Sequence, residues 1–342
     1  ALGDPLSFAL SEGAAVERSA LLAAVRKRIV PVLRSLGGGG PVGRIDERWY
    51  WAAPLLIEDR QAVESWLSAD PLLSEGETGP ADLDRVREAI QAVLDDPGQL
   101  GRRPRDLADM LARLAIGSPG ICAYRALART SRGEVAGSTL RRGAFHIARG
   151  FQTLFNQGEA TAAVQLEYPG RKRVYWRQAL EYCIDGNLQA LLDEHLHFEA
   201  DGLSMFEGAA EEKLEKAAKA VHGALTLRRA SIEVRGLERR RRRGKNGQDV
   251  EGVRLRCRHA LRFAEIKEAN GAVSRLDAVR SAFNSPFRPF LLASTAVGQE
   301  GLDFHPWCHA VVHWNLPGSP VELEQREGRV HRYKGHAVRL NV

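Results

Sequence analysis

The sequence predicts an α/β protein, with a mainly α-helical region over residues 1–204 and a parallel-sheet lobe over residues 205–342. Three observations lead there. Apolar residues recur at helical spacing through most of the first two-thirds of the chain. Two short apolar runs, Phe290–Ala293 and Ala310–Trp314, have the character of strands buried on both faces. Helical patterns flank these runs, and strands alternating with helices form parallel sheets with right-handed crossovers. The length of 342 residues fits two domains at about 150 residues each.

The elements follow in chain order. Leu21, Val25, Ile29 and Val32 form a stripe on a helix that begins near Ser11 and ends at the Gly37–Gly40 loop. No Lys-Ser or Lys-Thr follows those glycines, so a linker is expected rather than a phosphate loop. Trp49, Tyr50 and Trp51 form an aromatic cluster expected in a core or an interface. Pro80 opens a helix with Leu83, Val86, Ile90 and Val93 on one face, and Pro97-Gly98 stops it. Residues 104–115 and 121–130 read as a helical pair, and 138–156 and 174–198 as helices. Residues 209–227 place Leu214, Ala217, Ala218, Val221 and Leu225 in phase.

The pattern then changes. Ser231–Arg235 reads as a short strand. Residues 253–263 alternate, with Val253, Leu255 and Cys257 against Arg254, Arg256 and Arg258. Residues 272–283 return to helical spacing.

Composition narrows the function. The 44% hydrophobic content supports a packed core, and no apolar run is long enough to span a membrane. No signal peptide is expected at the start of the chain, and opening on Ala is what a processed or incomplete chain would show. Cys122, Cys183, Cys257 and Cys308 are widely spaced, which fits reduced thiols in a cytoplasmic protein. A net charge of +6 and a pI near 9.3 lean toward nucleic acid.

Two motifs carry chemistry. After the run ending at Ala293 comes Ser294-Thr295-Ala296-Val297-Gly298-Gln299-Glu300-Gly301-Leu302-Asp303. Ligands of parallel sheets bind at the carboxyl ends of strands, and Gly298 and Gly301 permit close backbone approach. Asp303 stands where a carboxylate can accept hydrogen bonds from a ribose; a structural turn is the alternative.

The second motif follows Ala310–Trp314. Ser319-Pro320-Val321-Glu322 is a capping box with proline in the first turn. On the helix it starts, Gln325, Arg329 and Arg332 fall at i, i+4 and i+7 and share a face. Gly328 lies beside them, at a cost of ~1 kcal/mol in a helix interior, and close approach of another surface would compensate. Gly335 is expected to end the helix. Paired guanidinium groups suit a triphosphate, and a solvated basic face is the alternative.

The stretch from Arg280 to Gly335 resembles the second RecA-like lobe of superfamily-two helicases and translocases. It is closest to Swi/Snf-type ATPases, including the bacterial RNA-polymerase-associated one. The matching text is Ala282-Phe283-Asn284, then residues 291–304, then residues 309–335. The resemblance implies a nucleic-acid-dependent ATPase using ATP and magnesium. It places Gly301, Asp303, Gln325 and Arg326 at nucleotide-binding positions and Arg329 and Arg332 at arginine-finger positions. It places Ser294 and Thr295 against a nucleic-acid phosphate, and DNA is the favoured partner over RNA.

The sequence also departs from that family. No Gly-x-x-x-x-Gly-Lys-Ser/Thr loop is present, so the first lobe and the magnesium ligands are expected to come from outside this chain. Leu191-Leu192-Asp193-Glu194-His195 is read as a surface turn of a helix rather than an Asp-Glu box. Arg239, Arg240 and Arg241 open a run of five arginines with two readings, a solvated hairpin loop or a phosphate contact. His305, Cys308, His309 and His313 do not have tetrahedral zinc spacing, so no metal is expected. The rival reading is a non-catalytic module that binds nucleic acid or protein; an RNA-binding accessory protein driven by the arginine run is a third.

Overall fold

The computed structural model describes residues 17–36, 43–69, 80–169, 174–204, 208–227, 230–234, 253–257, 272–287, 289–293 and 303–340. Two compact units emerge: residues 1–148 with 155–218, and residues 149–154 with 219–342.

The first unit is built from helices. In order they are α1 (Arg18–Ser35), α2 (Trp49–Ile57), α3 (Arg60–Ala69), α4 (Pro80–Asp95), α5 (Leu107–Gly117), α6 (Pro119–Ser131) and α7 (Gly137–Phe155). Then come α8 (Gly158–Glu167), α9 (Tyr175–Asp185), α10 (Leu188–Ser204) and α11 (Ala210–Leu225), residues 149–154 of α7 and 219–225 of α11 belonging to the second unit. Val25, Ile29 and Leu33 of α1 are buried together with Trp49, Ala52 and Ala53 of α2 and Met110 and Leu111 of α5. Leu180 and Ile184 of α9 complete that core.

Residues 44–49 are clamped onto residues 99–102. Asp46 accepts hydrogen bonds from the Gly101 N–H (3.0 Å) and from Arg48 Nη2 (2.7 Å). Trp49 Nε1 donates to the Gly101 carbonyl at 2.8 Å. The aromatic cluster thus anchors a helix that the sequence left unassigned.

A second pin joins α2, α5 and α9. Tyr50 Oη donates to Asp106 at 2.6 Å, and Arg177 donates to both Asp106 and Tyr50 at 2.6 Å. Burial and the Asp106 carboxylate push the Tyr50 phenol up to about 12, so it stays a donor.

The expected single helix over 174–198 is two helices, because Asn187 adopts a left-handed conformation at φ 47° between α9 and α10. Residues 191–195 lie inside α10 as expected, but not wholly on its surface. Leu192 and His195 are buried, and Asp193 is ion-paired with Arg129.

The second unit corrects the expected fold class. Its described strands are β1 (Ala230–Val234) and β2 (Val253–Cys257), paired antiparallel with Ala230 opposite Cys257 and Val234 opposite Val253. No parallel sheet forms among the described residues, so the α/β RecA-like lobe is not found there. Alternation of this kind accompanies antiparallel strands, whereas strands of parallel sheets read as continuous apolar runs.

Among the described residues, 290–293 and 310–314 form no strand. Leu291 is 83% exposed and Trp314 93% exposed. Apolarity over four or five residues makes a strand only where neighbouring strands complete the ladder.

The remaining elements are α12 (Ala272–Phe283), α13 (Pro320–Glu327) and α14 (His336–Arg339). Phe287 packs edge-on to Phe151 with ring centroids 5.5 Å apart. No described helix is long and apolar enough to cross a membrane.

Candidate functional site

Helix α13 begins where its sequence signal placed it, with Ser319 at the N-cap and Pro320 in the first turn. The Ser319 side chain makes no capping hydrogen bond. The helix then stops at Glu327, well before Gly335. Gln325, Arg329 and Arg332 therefore do not share one helical face. Gln325 lies exposed on α13, whereas Arg329 and Arg332 occupy the turns that follow.

The cause is local. The carbonyl of Arg329, which a continuing helix would give to a residue four positions on, accepts the Phe304 N–H instead at 3.0 Å. Gly328 is the C-cap residue, and a Cβ there would meet only its own helix, at the Glu324 carbonyl. Its glycine needs no second surface. Gly335 matters elsewhere: a Cβ would stand 2.8 Å from the Arg332 carbonyl, and the next amide, of His336, donates to the His305 carbonyl at 2.9 Å.

These bonds bring the two motifs together. Arg332 Nη1 lies 2.5 Å from Asp303 Oδ1, and Arg332 Nε donates to the Gly328 carbonyl at 3.0 Å. Arg329 Nε is shielded from solvent and has no hydrogen-bond partner. A buried donor left so is costly, and an anion reaching it would satisfy it. Arg326 is turned elsewhere, with Nη1 donating to the Asn315 carbonyl at 3.0 Å. Gly301, Ser294, Thr295, Arg239, Arg240 and Arg241 lie outside the described residues.

His305 stands beside the pair. Burial, then the Arg332 and Arg339 charges, hold its imidazole below the usual histidine range against the opposing pull of Asp303. Arg339 stacks over Trp307 at 5.1 Å and donates to the Pro306 carbonyl at 2.7 Å, fixing α14 to the same segment. Among the described residues no cluster of His, Cys, Asp or Glu could hold a metal ion.

Sequence reasoning missed the role of Asn284. Its Nδ2 donates to the Asp303 carbonyl at 2.8 Å. The only signal available was its place in the Ala282-Phe283-Asn284 block, which marks a helix end and no chemistry.

What this arrangement offers is one arginine already neutralised by a carboxylate and a second with an uncommitted buried donor. No curated protein and no solved structure matches the chain. Over residues 254–334, about a quarter of its length, the chain matches the family model of the helicase conserved C-terminal domain, so this segment is similar to the C-terminal part of helicases.

Proposed function

We propose that this chain carries the arginine side of an ATP site in a nucleic-acid-dependent ATPase of the superfamily-two helicase and translocase class, Swi/Snf-like in its motifs. The observation that carries this reading is the clamping of Asp303-Phe304 onto the Arg329–Arg332 turn, which joins the two motifs at one point. A cleft of this kind needs a second half bearing the phosphate loop and the magnesium ligands, contributed by another lobe.

The donor set fits a polyphosphate. Arg329 presents an unsatisfied buried N–H, and guanidinium keeps its charge at any working pH. A bound ATP supplies the reacting γ-phosphoryl group. Arg329 then stabilises charge that develops there, an effect worth ~10³–10⁵ in rate. Arg332 completes the anion-facing turn, with Asp303 orienting its guanidinium in the absence of ligand. The net charge of +6 supports a polyanionic track, with duplex DNA the favoured one.

Arg329→Ala tests this reading. In protein containing both halves of the cleft, ATP turnover falls by ~10³-fold or more while affinity for duplex DNA holds. Equal loss of both would show that Arg329 supports the fold or the track rather than the chemistry.

A second reading is favoured by one observation: Asp303 already occupies Arg332. It makes this segment a non-catalytic module for nucleic acid or protein. DNA-independent binding of a protein partner, with no effect of Arg329→Ala on any turnover, would support it.

A further inference from the structure

We propose that Asn284 is a positioning residue of this site, acting on Arg332 through Asp303. The inference rests on the nucleotide reading above and deepens it.

Helix α12 ends at Phe283, and the chain turns away at once. The Ser285 hydroxyl donates to the Ala282 carbonyl at 2.6 Å and accepts the Phe287 N–H at 3.2 Å. That turn leaves two consecutive side chains facing the Asp303-Phe304 segment. The Phe283 ring meets the Phe304 ring edge-on, centroids 5.6 Å apart. The Asn284 carboxamide reaches the Asp303 carbonyl. Because a carbonyl only accepts, the atom facing it is the amide nitrogen.

The peptide group between Asp303 and Phe304 is therefore held at both ends. Its C=O accepts from Asn284, and its N–H donates to the Arg329 carbonyl. A planar group fixed at both poles cannot rotate, so ψ of Asp303 is set. With ψ set, the Cα–Cβ bond of Asp303 is aimed relative to this peptide, which narrows the rotamers that bring its carboxylate to Arg332. Asn284 thus governs the guanidinium without touching it.

The other end of the same carboxamide points to this role. Asn284 Oδ1 is buried and has no hydrogen-bond partner. An apolar residue at the end of α12 would avoid that penalty, so the Nδ2 donor is what the amide contributes.

Asn284→Asp tests the idea, since it keeps shape and removes the donor. Two readouts separate the outcomes, the first on this chain. The first is the ¹⁵N–¹H signal of Arg332 Nε, assigned by its loss in Arg332→Lys. In Asn284→Asp it shifts or broadens as it does in Asp303→Asn, while the far-ultraviolet circular dichroism stays that of the parent. An unmoved Arg332 signal would overturn the inference whatever the nucleotide does.

The second readout is ATP titration of the same variants in protein containing both halves of the cleft. Affinity in Asn284→Asp drops about five-fold, the loss of one orienting hydrogen bond. Unchanged ATP affinity, where the complete parent protein binds ATP, also overturns the inference. If the Arg332 signal moves but the parent binds no ATP, the positioning role stands and the nucleotide reading fails.

Discussion

Asp303 Oδ1 and Arg332 Nη1 stand 2.5 Å apart, joining the end of one motif to the end of the other. Their side chains are 35% and 41% exposed, and pairs so open to water contribute only ~0–1 kcal/mol. Asp303→Ala, Arg332→Ala and the double variant should therefore unfold within about 1 kcal/mol of the parent. Denaturant melts of the four proteins check this. A coupling of several kcal/mol would make the pair a structural strut and remove it from the ligand site.

The acid limb of stability in the first unit should follow Asp46. Its hydrogen bonds to Arg48 lead the causes that hold its carboxyl down from 3.8 to about 2, with burial opposing them and the Gly101 N–H helping. A carboxyl depressed in the folded state stabilises it above the unfolded pKa, and that contribution is lost as pH falls through the folded value. Stability should thus decline between 3.8 and about 2. Asp46→Asn flattens this step and costs ~1–3 kcal/mol at neutral pH, because charged acceptors make the stronger bonds. Urea midpoints across that window decide it; a variant that keeps the full acid step would place its origin at other carboxylates.

Two glycines should respond in opposite senses to the same change. A Cβ on Gly117 would stand 2.2 Å from Ile184 Cγ1, where α5 meets α9. Gly117→Ala forces those helices apart and costs ~1–3 kcal/mol. Gly223, exposed in α11, would meet nothing within 4 Å. Gly223→Ala should add about 0.5 kcal/mol by trimming unfolded-state freedom. Thermal midpoints of the two variants against the parent measure both signs; a stabilising Gly117→Ala would contradict the close approach of α5 and α9.

Helices were legible where a stripe was complete. Leu214, Ala217, Ala218, Val221 and Leu225 all proved buried in α11, as their periodic spacing predicts. Helix α2 was not, since Pro54 lies within its nine residues and breaks the usual signature. The split at Asn187 depends on a single backbone angle that Asn tolerates and does not announce. At the site, residue types and their neighbourhood were readable, but geometry was not. Where α13 ends depends on Phe304 capturing the Arg329 carbonyl, a contact between distant positions that no local pattern encodes. The same holds for the Asp303–Arg332 pair.

The largest disagreement between sequence pattern and structure has its own test at Trp314. In a buried parallel strand, its indole would be among the most stabilising groups of the lobe. Here it is 93% exposed, with Val312 and Leu316 exposed on either side. Phe304, by contrast, is 8% exposed and packs on Phe283. Trp314→Ser should then change unfolding free energy by less than ~0.5 kcal/mol, the range of surface substitutions. Phe304→Ala should cost ~3–5 kcal/mol in the second unit. Denaturant unfolding followed by circular dichroism compares them on one scale. If Trp314→Ser proves as damaging as Phe304→Ala, residues 310–314 are packed on both sides, and a parallel sheet displaces the open arrangement described above.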